Sequence, residues 1–206
     1  MARKRAPEKK EWIRKAAIRI IAREGFYHCT TDKIAGEAGV SVGTIYNYFN
    51  NKKEILSYIF KVERTKLDVF FSRLKKKDLA VPQKIKFLID KYFKYTFRNQ
   101  EIARLLHDES NKSENEITRE IFNYILSVRE HLRELLEEGV EEGSVPCNYN
   151  PDMMINVITG AATVTAFYGF IQEENIEYIY NKGSDELFDI FTNGIFTSPE
   201  VIRKDD

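Results

Sequence analysis

Between Thr30 and Leu56 the chain reads TTDKIAGEAGVSVGTIYNYFNNKKEIL. One part of it, Val42 to Tyr48, gathers hydrogen-bonding groups with no carboxylate among them. Thr44 and Asn47 supply donors and acceptors of the kind that meet base edges, and Gly43 lets a backbone come close to a partner. The hydroxyls of Tyr46 and Tyr48 can reach phosphates, and Lys52 follows as a cation suited to clamping one. This chemistry is recognition of a polyanion. Nucleophilic or acid–base catalysis would need a different set: there is no Gly-rich phosphate loop, no HExxH, and the histidines stand scattered at 28, 107 and 131.

Those side chains need elements to hold them. Thr31 is the expected N-cap of a short helix over Asp32–Ala38, with Ile34, Ala35 and Ala38 on one face. Gly39 ends that helix, because a sharp stop needs the left-handed backbone that glycine tolerates. Ser41 caps a second helix running to about Phe49, with Ile45 and Phe49 four apart on its apolar side. Two short helices, a glycine turn and an acid-free second helix with small residues at its start make a helix-turn-helix. In that motif the second helix enters the major groove with its N-terminal residues at the base edges.

The residues Thr30-Thr31, Ile34-Ala35, Ala38-Gly39-Val40-Ser41, Gly43-Thr44, Tyr46, Tyr48-Phe49 and Lys52 closely resemble the DNA-binding signature of TetR-family transcriptional regulators. The likeness reaches back to Arg23-Glu24-Gly25-Phe26 and covers about residues 10–60. It implies DNA contacts at Thr31, Ser41, Val42, Gly43, Thr44, Tyr46, Asn47, Tyr48 and Lys52. It further implies a homodimer and an effector site in the rest of the chain, where the likeness is architectural only. Val42 and Asn47 depart from the polar or basic residues many relatives carry, so the resemblance supplies no operator sequence.

Composition agrees with a helical protein. Of 206 residues 43% are hydrophobic, with only five prolines and ten glycines. The net charge of zero hides an asymmetry: residues 1–53 hold twelve basic and five acidic side chains, a net of +7, which leaves −7 for the remainder. A basic head on an acidic body suits a protein with one polyanion-facing end. Two cysteines without CxxC spacing, and no uninterrupted apolar run, lead us to expect a cytoplasmic protein with reduced thiols and no membrane span. The His28-Cys29 pair lacks further ligands nearby and reads as a loop histidine beside a packed cysteine.

In chain order, residues 1–8 form a polar tail in which Arg3-Lys4-Arg5 could serve as a minor-groove arm. Helix 1 is expected over Lys9–Glu24, packing Trp12, Ile13, Ala16, Ala17, Ile20 and Ile21, with Phe26 and Tyr27 folding back behind it. Helix 4, about 51–77, touches both the head and the body and is expected to transmit between them. Helices are expected at 82–98, 100–110, from Ser113 or Glu114 to about 143, at 151–172 and at 184–196. The last two, with Gly160, Ala161, Ala162, Ala166 and Gly169 on the first, are expected to form the homodimer bundle. Phe87, Phe93, Phe97, Leu106, Phe122, Tyr124, Phe167 and Phe170 are the candidate lining of an apolar effector pocket. Residues 107–109, His-Asp-Glu, point about 100° apart on a helix, so they read as a polar cluster rather than a metal site.

The sequence therefore predicts an all-α protein of about nine helices. A helix-turn-helix domain occupies 1–53 and a larger ligand-binding and dimerisation domain 54–206. The expected function is a ligand-responsive repressor. It would bind a pseudo-palindromic operator on double-stranded DNA as a homodimer and be released by a hydrophobic or amphipathic molecule such as an acyl chain. No cofactor, metal or catalytic activity is expected. The competing readings are a small-molecule sequestering protein without specific DNA binding, and a helical enzyme holding a metal at residues 107–109.

Overall fold

The computed structural model describes residues 6–110, 119–171 and 176–194, and every regular element among them is helical. The order is α1 (Ala6–Glu24), α2 (Thr31–Ala38), α3 (Val42–Tyr46), α4 (Lys52–Lys75), α5 (Val81–Arg98), α6 (Gln100–Ser110), α7 (Arg119–Glu141), α8 (Pro151–Ile171) and α9 (Ile176–Tyr178). A π-helical turn (Ile179–Gly183) then leads into α10 (Ser184–Asn193). The all-α fold is as expected from the sequence. Two expected features lie outside the described residues: the basic arm at Arg3–Arg5 and the start of the seventh helix near residues 113 and 114.

Backbone packing divides the chain into two units, and the division does not fall at residue 53. One unit joins Met1–Asp78 with Asn99–Glu138, and so contains α1 to α4, α6 and most of α7. The other joins Leu79–Arg98 with Gly139–Asp206, and contains α5, the end of α7, α8, α9 and α10.

In the first unit the helical spacing seen in the sequence becomes a core. Ile13, Ala16, Ala17, Ile20 and Ile21 of α1 are buried, as are Ile34 and Ala35 of α2 and Ile45 and Phe49 around α3. Ile55, Leu56, Ile59 and Phe60 of α4 complete it, each large side chain contributing about 1.5–3 kcal/mol on burial. Phe26 is buried, but Tyr27 stands 66% exposed, so only the first of the expected pair folds back. A glycine at φ 80°, Gly25, turns the chain there and sends consecutive side chains opposite ways. Trp12 is half-buried rather than central.

Charge also enters this core. Arg14 and Glu63 are both 5% exposed, and the Arg14 Nη1 donates to Glu63 Oε1 at 3.1 Å, tying α1 to α4. Glu11 takes the other edge of the guanidinium in two bonds of 2.7 and 2.8 Å. A buried cation survives only when its donors are met in this way. Further along α4, Phe60 packs edge-on against Tyr124, and Phe71 stacks on His131 with 4.4 Å between centroids. These contacts explain why α4 groups with α7 rather than ending the head.

The second unit has a smaller core, with Val81, Ile85, Ile89 and Phe93 of α5 against Ile155, Ala162 and Ala166 of α8 and Leu187 of α10. The π-helical turn, which the sequence pattern did not reveal, exists beside Phe93. A Cβ on Gly183 would lie 2.9 Å from Phe93 Cε1, so only glycine lets the ring in. Phe97 and Tyr180 pair their rings 4.1 Å apart on the same side.

Candidate nucleic-acid interface

The interface starts from its caps. Thr30, not Thr31, is the N-cap of α2: its backbone is extended (φ −111°, ψ 157°) and its side chain accepts from the Lys33 N–H. Thr31 is the first helical residue instead, one position inside the expected boundary. At the other end Gly39 adopts φ 64°, ψ 37°, and the Val40 N–H reaches back to the Ala35 carbonyl at 3.0 Å. This is the left-handed stop expected of that glycine. Ser41 then caps α3 as expected, its Oγ accepting from the Thr44 N–H at 3.1 Å and sharing a 2.9 Å hydrogen bond with the Thr44 hydroxyl.

The second helix is shorter than its pattern suggested. Regular α-helix ends at Tyr46, and Asn47 is its C-cap. The Phe49 N–H still bonds the Ile45 carbonyl at 3.0 Å, so the backbone curls onward through one more turn. Ile45 and Phe49 face the core, which leaves the opposite side for a partner. There Ser41, Gly43, Tyr46 and Asn47 are exposed, and Val42, Thr44 and Tyr48 are half-buried. Tyr46, 54% exposed, is the largest of them. A bulky side chain so exposed on a short capped helix has no packing reason to be there.

Head carboxylates are held by neighbours. Glu37 takes Arg19 at 2.6 Å, and Glu24 takes Lys33 at 2.5 Å and Arg23 at 3.0 Å. The bond from Lys33, first, and that from Arg23 hold the Glu24 carboxyl below its ordinary range. Glu54 bonds the Asn50 backbone N–H at 2.7 Å, while Asn51 caps α4 by accepting from the Glu54 N–H. Part of the positive excess counted in the sequence is therefore spent inside the head, while Lys15 and Lys53 remain exposed.

Lys52 has partners within the head. Its ammonium donates to the carbonyls of Phe26, Tyr27 and Cys29 at 2.7, 3.2 and 2.8 Å, and lies 4.5 Å from the centre of the Phe26 ring. Sequence reasoning assigned this lysine to phosphate because it follows the second helix. Only the fold brings it over the loop between α1 and α2. Cys29 beneath it is buried, and burial pushes its thiol up.

The candidate effector residues fall in both units. In the first, Leu106 is half-buried, Phe122 is half exposed, and Tyr124 leans on Phe60. In the second, Phe93 is core, Phe97 and Phe167 are half-buried and Phe87 is 38% exposed. The Phe170 side chain lies outside the described residues. Tyr92 is bonded to Thr163, and its burial raises the phenol. Near the end of α6, His107 bonds Asp108 at 3.2 Å while Glu109 is buried. Among the described residues no three His, Cys, Asp or Glu side chains gather as a metal site would require, and no helix is long and apolar enough to cross a membrane.

Residues 13–59 match the family model of bacterial regulatory proteins of the tetR family, and residues 77–195 match the tetracyclin repressor-like C-terminal domain. The fatty acid metabolism regulator protein of Bacillus subtilis is 26% identical over 183 residues, spanning 87% of this chain and 92% of its own. The regulator SrpR of Pseudomonas putida is 25% identical over 178 residues, 82% of this chain and 80% of its own. Among solved structures, FadR from Bacillus subtilis in complex with stearoyl-CoA superposes with a TM-score of 0.81 at 25% identity, covering 90% of this chain and 99% of that one. The fatty acid degradation regulator FadR from Bacillus halodurans gives 0.82 at 26%, covering 94% and 98%. A capped helix-turn-helix with an exposed, acid-free second helix, and family matches running through both parts of the sequence, lead to one conclusion: the chain belongs to the TetR family of transcriptional regulators.

Proposed function

We propose that the protein is a repressor that binds a pseudo-palindromic operator as a homodimer and leaves it when a long-chain acyl thioester binds. The single observation that carries the DNA-binding part is the outward face of α3, exposed and free of carboxylates on a helix fixed by Ser41. Val42, Gly43, Thr44 and Asn47 face base edges, and Thr31, Tyr46, Tyr48 and Lys52 reach the flanking phosphates. Half-sites then lie about one helical turn apart, as two copies of the motif require.

The dimer reading is supported by α8. Met153, Val157 and Val164 are 61%, 53% and 52% exposed, and with the exposed Gly160 they are spaced four, three and four apart along one helical face. Ile190 of α10 is also 43% exposed. Apolar side chains left open in register are suited to cover by a second copy, giving a bundle of two helices from each subunit. A protein that works on operator DNA acts in the cytoplasm, where the thiols of Cys29 and Cys147, both unbridged, stay reduced.

The effector class rests on likeness and on chemistry together. The similar FadR of Bacillus subtilis was solved with stearoyl-CoA. The aromatic side chains of this chain, Phe87, Phe97 and Phe167 among them, suit an apolar tail. Release needs the acyl thioester to bind the DNA-incompetent arrangement more tightly than the competent one, since a ligand shifts an equilibrium only by its differential affinity.

The test is selection of bound fragments from sheared source-genome DNA at near-physiological salt, repeated with stearoyl-CoA, with free coenzyme A and with stearate. A short palindrome should survive selection and be lost with stearoyl-CoA alone. A palindrome indifferent to all three would remove the acyl effector. Unselective binding that vanishes with salt would mean electrostatics alone and remove the repressor reading.

A further inference from the structure

We infer that Val42 selects thymine: its isopropyl group covers the 5-methyl of a thymine in each half-site, so the leading end of α3 reads its base by apolar contact and not by a hydrogen bond. The inference rests on the DNA-binding reading and names what one of its base-facing residues recognises. In a helix-turn-helix the first residues of the second helix stand at the base edges, and Val42 is the first residue of α3. The capping bonds decide what that end has to offer. Ser41 Oγ accepts from the Thr44 N–H at 3.1 Å, and the Ser41 and Thr44 hydroxyls share a bond of 2.9 Å. The polar groups on either side of Val42 and Gly43 are thus turned toward one another. Between them stand an isopropyl group and a glycine.

Gly43 supports the same reading. It lies within α3 and is not among the glycines of positive φ. A Cβ there would meet Ser41 Oγ at 3.9 Å, an ordinary contact, so alanine would fit. Glycine is the less stable choice inside a helix, and the packing of the chain gives no reason for it. A partner that comes close beside Val42 does. Val42 itself is only half-buried, whereas Ile45 and Phe49 of the same motif are core. A β-branched side chain has few χ1 states, so its surface is ordered before DNA arrives. On the floor of the major groove the one apolar group is the thymine methyl; adenine, guanine and cytosine present donors and acceptors there. Valine laid on those edges would strip a polar atom of water and give it no partner. Laid on the thymine methyl, it buries carbon against carbon.

The test uses the full chain and the operator found by selection at near-physiological salt. Each thymine of a half-site is replaced in turn by deoxyuridine, which removes the methyl and keeps the base pairing. Binding is measured for wild type, Val42→Ala and Val42→Lys. For wild type, one position should weaken binding about fourfold, the worth of one methyl withdrawn from water. Changing both half-sites should weaken it about fifteenfold, since separated positions add. In Val42→Ala the same replacement should cost less than about twofold, because the contact is already gone. A wild-type scan in which no thymine responds overturns the inference, and so does a response of equal size in Val42→Ala. If the alanine variant does not fold, Val42→Lys decides, its long stem carrying the charge to water: a response lost there supports the inference and a response kept overturns it. A wild-type chain that selects no palindrome strikes the DNA-binding reading, and the inference with it.

Discussion

The helix-turn-helix and the second unit solve opposite problems with the same element. Around α2 and α3 nearly every backbone group at a helix end has a local partner: Thr30, Gly39, Ser41 and the Asn51–Glu54 pair close the termini within a few residues of sequence. The motif leaves Ser41, Gly43, Tyr46 and Asn47 exposed on its outer side. The second unit caps α8 through Asn150 but gives α10 no side-chain cap, and there it packs by shape. It fits Phe93 against Gly183 through a π-helical turn and leaves Met153, Val157 and Val164 open to solvent. The helix-turn-helix is built from short-range signals, whereas the open stripe of α8 is set by exposed apolar side chains.

The largest effect should come from breaking the second kind of construction. Replacing Met153 and Val157 together with aspartate places charge on the open stripe of α8 without disturbing its buried side. Sedimentation should then report monomers where the wild type is dimeric. Operator affinity should fall about a hundredfold or more, because the second half-site contact is no longer intramolecular. A double variant that stays dimeric would move the interface elsewhere on the chain.

Next in size is the close approach in that unit. Gly183→Ala puts a Cβ at 2.9 Å from Phe93 Cε1, and overpacking of this kind costs about 1–3 kcal/mol. Phe93→Leu also destabilises by removing ring contacts, yet the double variant should lose less than the two losses added. Denaturant titration of the four proteins gives the coupling. Strict additivity would mean that the glycine serves the π-helical turn and not the ring.

A smaller loss is expected in the head, where single local bonds are at stake. Ser41→Ala removes the acceptor for the Thr44 N–H and frees the Thr44 hydroxyl. Loss of an N-cap costs about 1 kcal/mol, and the variant should melt a few degrees lower while operator affinity falls by a comparable factor. Thr30→Ala, at the cap the structure assigns, should cost stability, and Thr31→Ala should cost it less. The reverse order would restore the boundary expected from sequence.

How far each region was legible follows from the same contrast. The helix-turn-helix could be read because its signals are local: Gly39 and Ser41 announce a stop and a start, and Ile34, Ile45 and Phe49 keep helical spacing. The cap slipped by one residue since Thr30 and Thr31 are chemically equivalent, and only the backbone angle decides between them. The internal bonds of Lys52 were out of reach, because its three carbonyl partners lie 23 to 26 positions earlier. The Arg14–Glu63 bond spans 49 positions and left no pattern at all. The π-helical turn was missed for a related reason. The Phe93 ring that Gly183 admits belongs to another helix, and the run Ile179–Gly183 carries no sign of it.

The smallest expected effect concerns charge between α4 and α7 in the first unit. Burial pushes the Asp68 carboxyl up, but hydrogen bonds from Ser127 and His131, at 2.7 and 3.0 Å, and their neighbouring charge together hold it below the ordinary carboxyl value. A carboxyl depressed in the folded state stabilises the fold above its unfolded value, and that contribution is lost as pH falls through the folded one. Asp68→Asn removes the contribution, so it should melt below wild type near neutral pH. The gap between the two proteins should hold from neutral pH down to the ordinary carboxyl range and narrow below it, since the wild-type advantage is the part that protonation erases. Asp68 keeps 47% of its side chain exposed, which screens the interaction and limits the gap at any pH. A gap that stayed constant from neutral to acid would mean that Asp68 acts by shape and hydrogen bonding alone, independent of its charge.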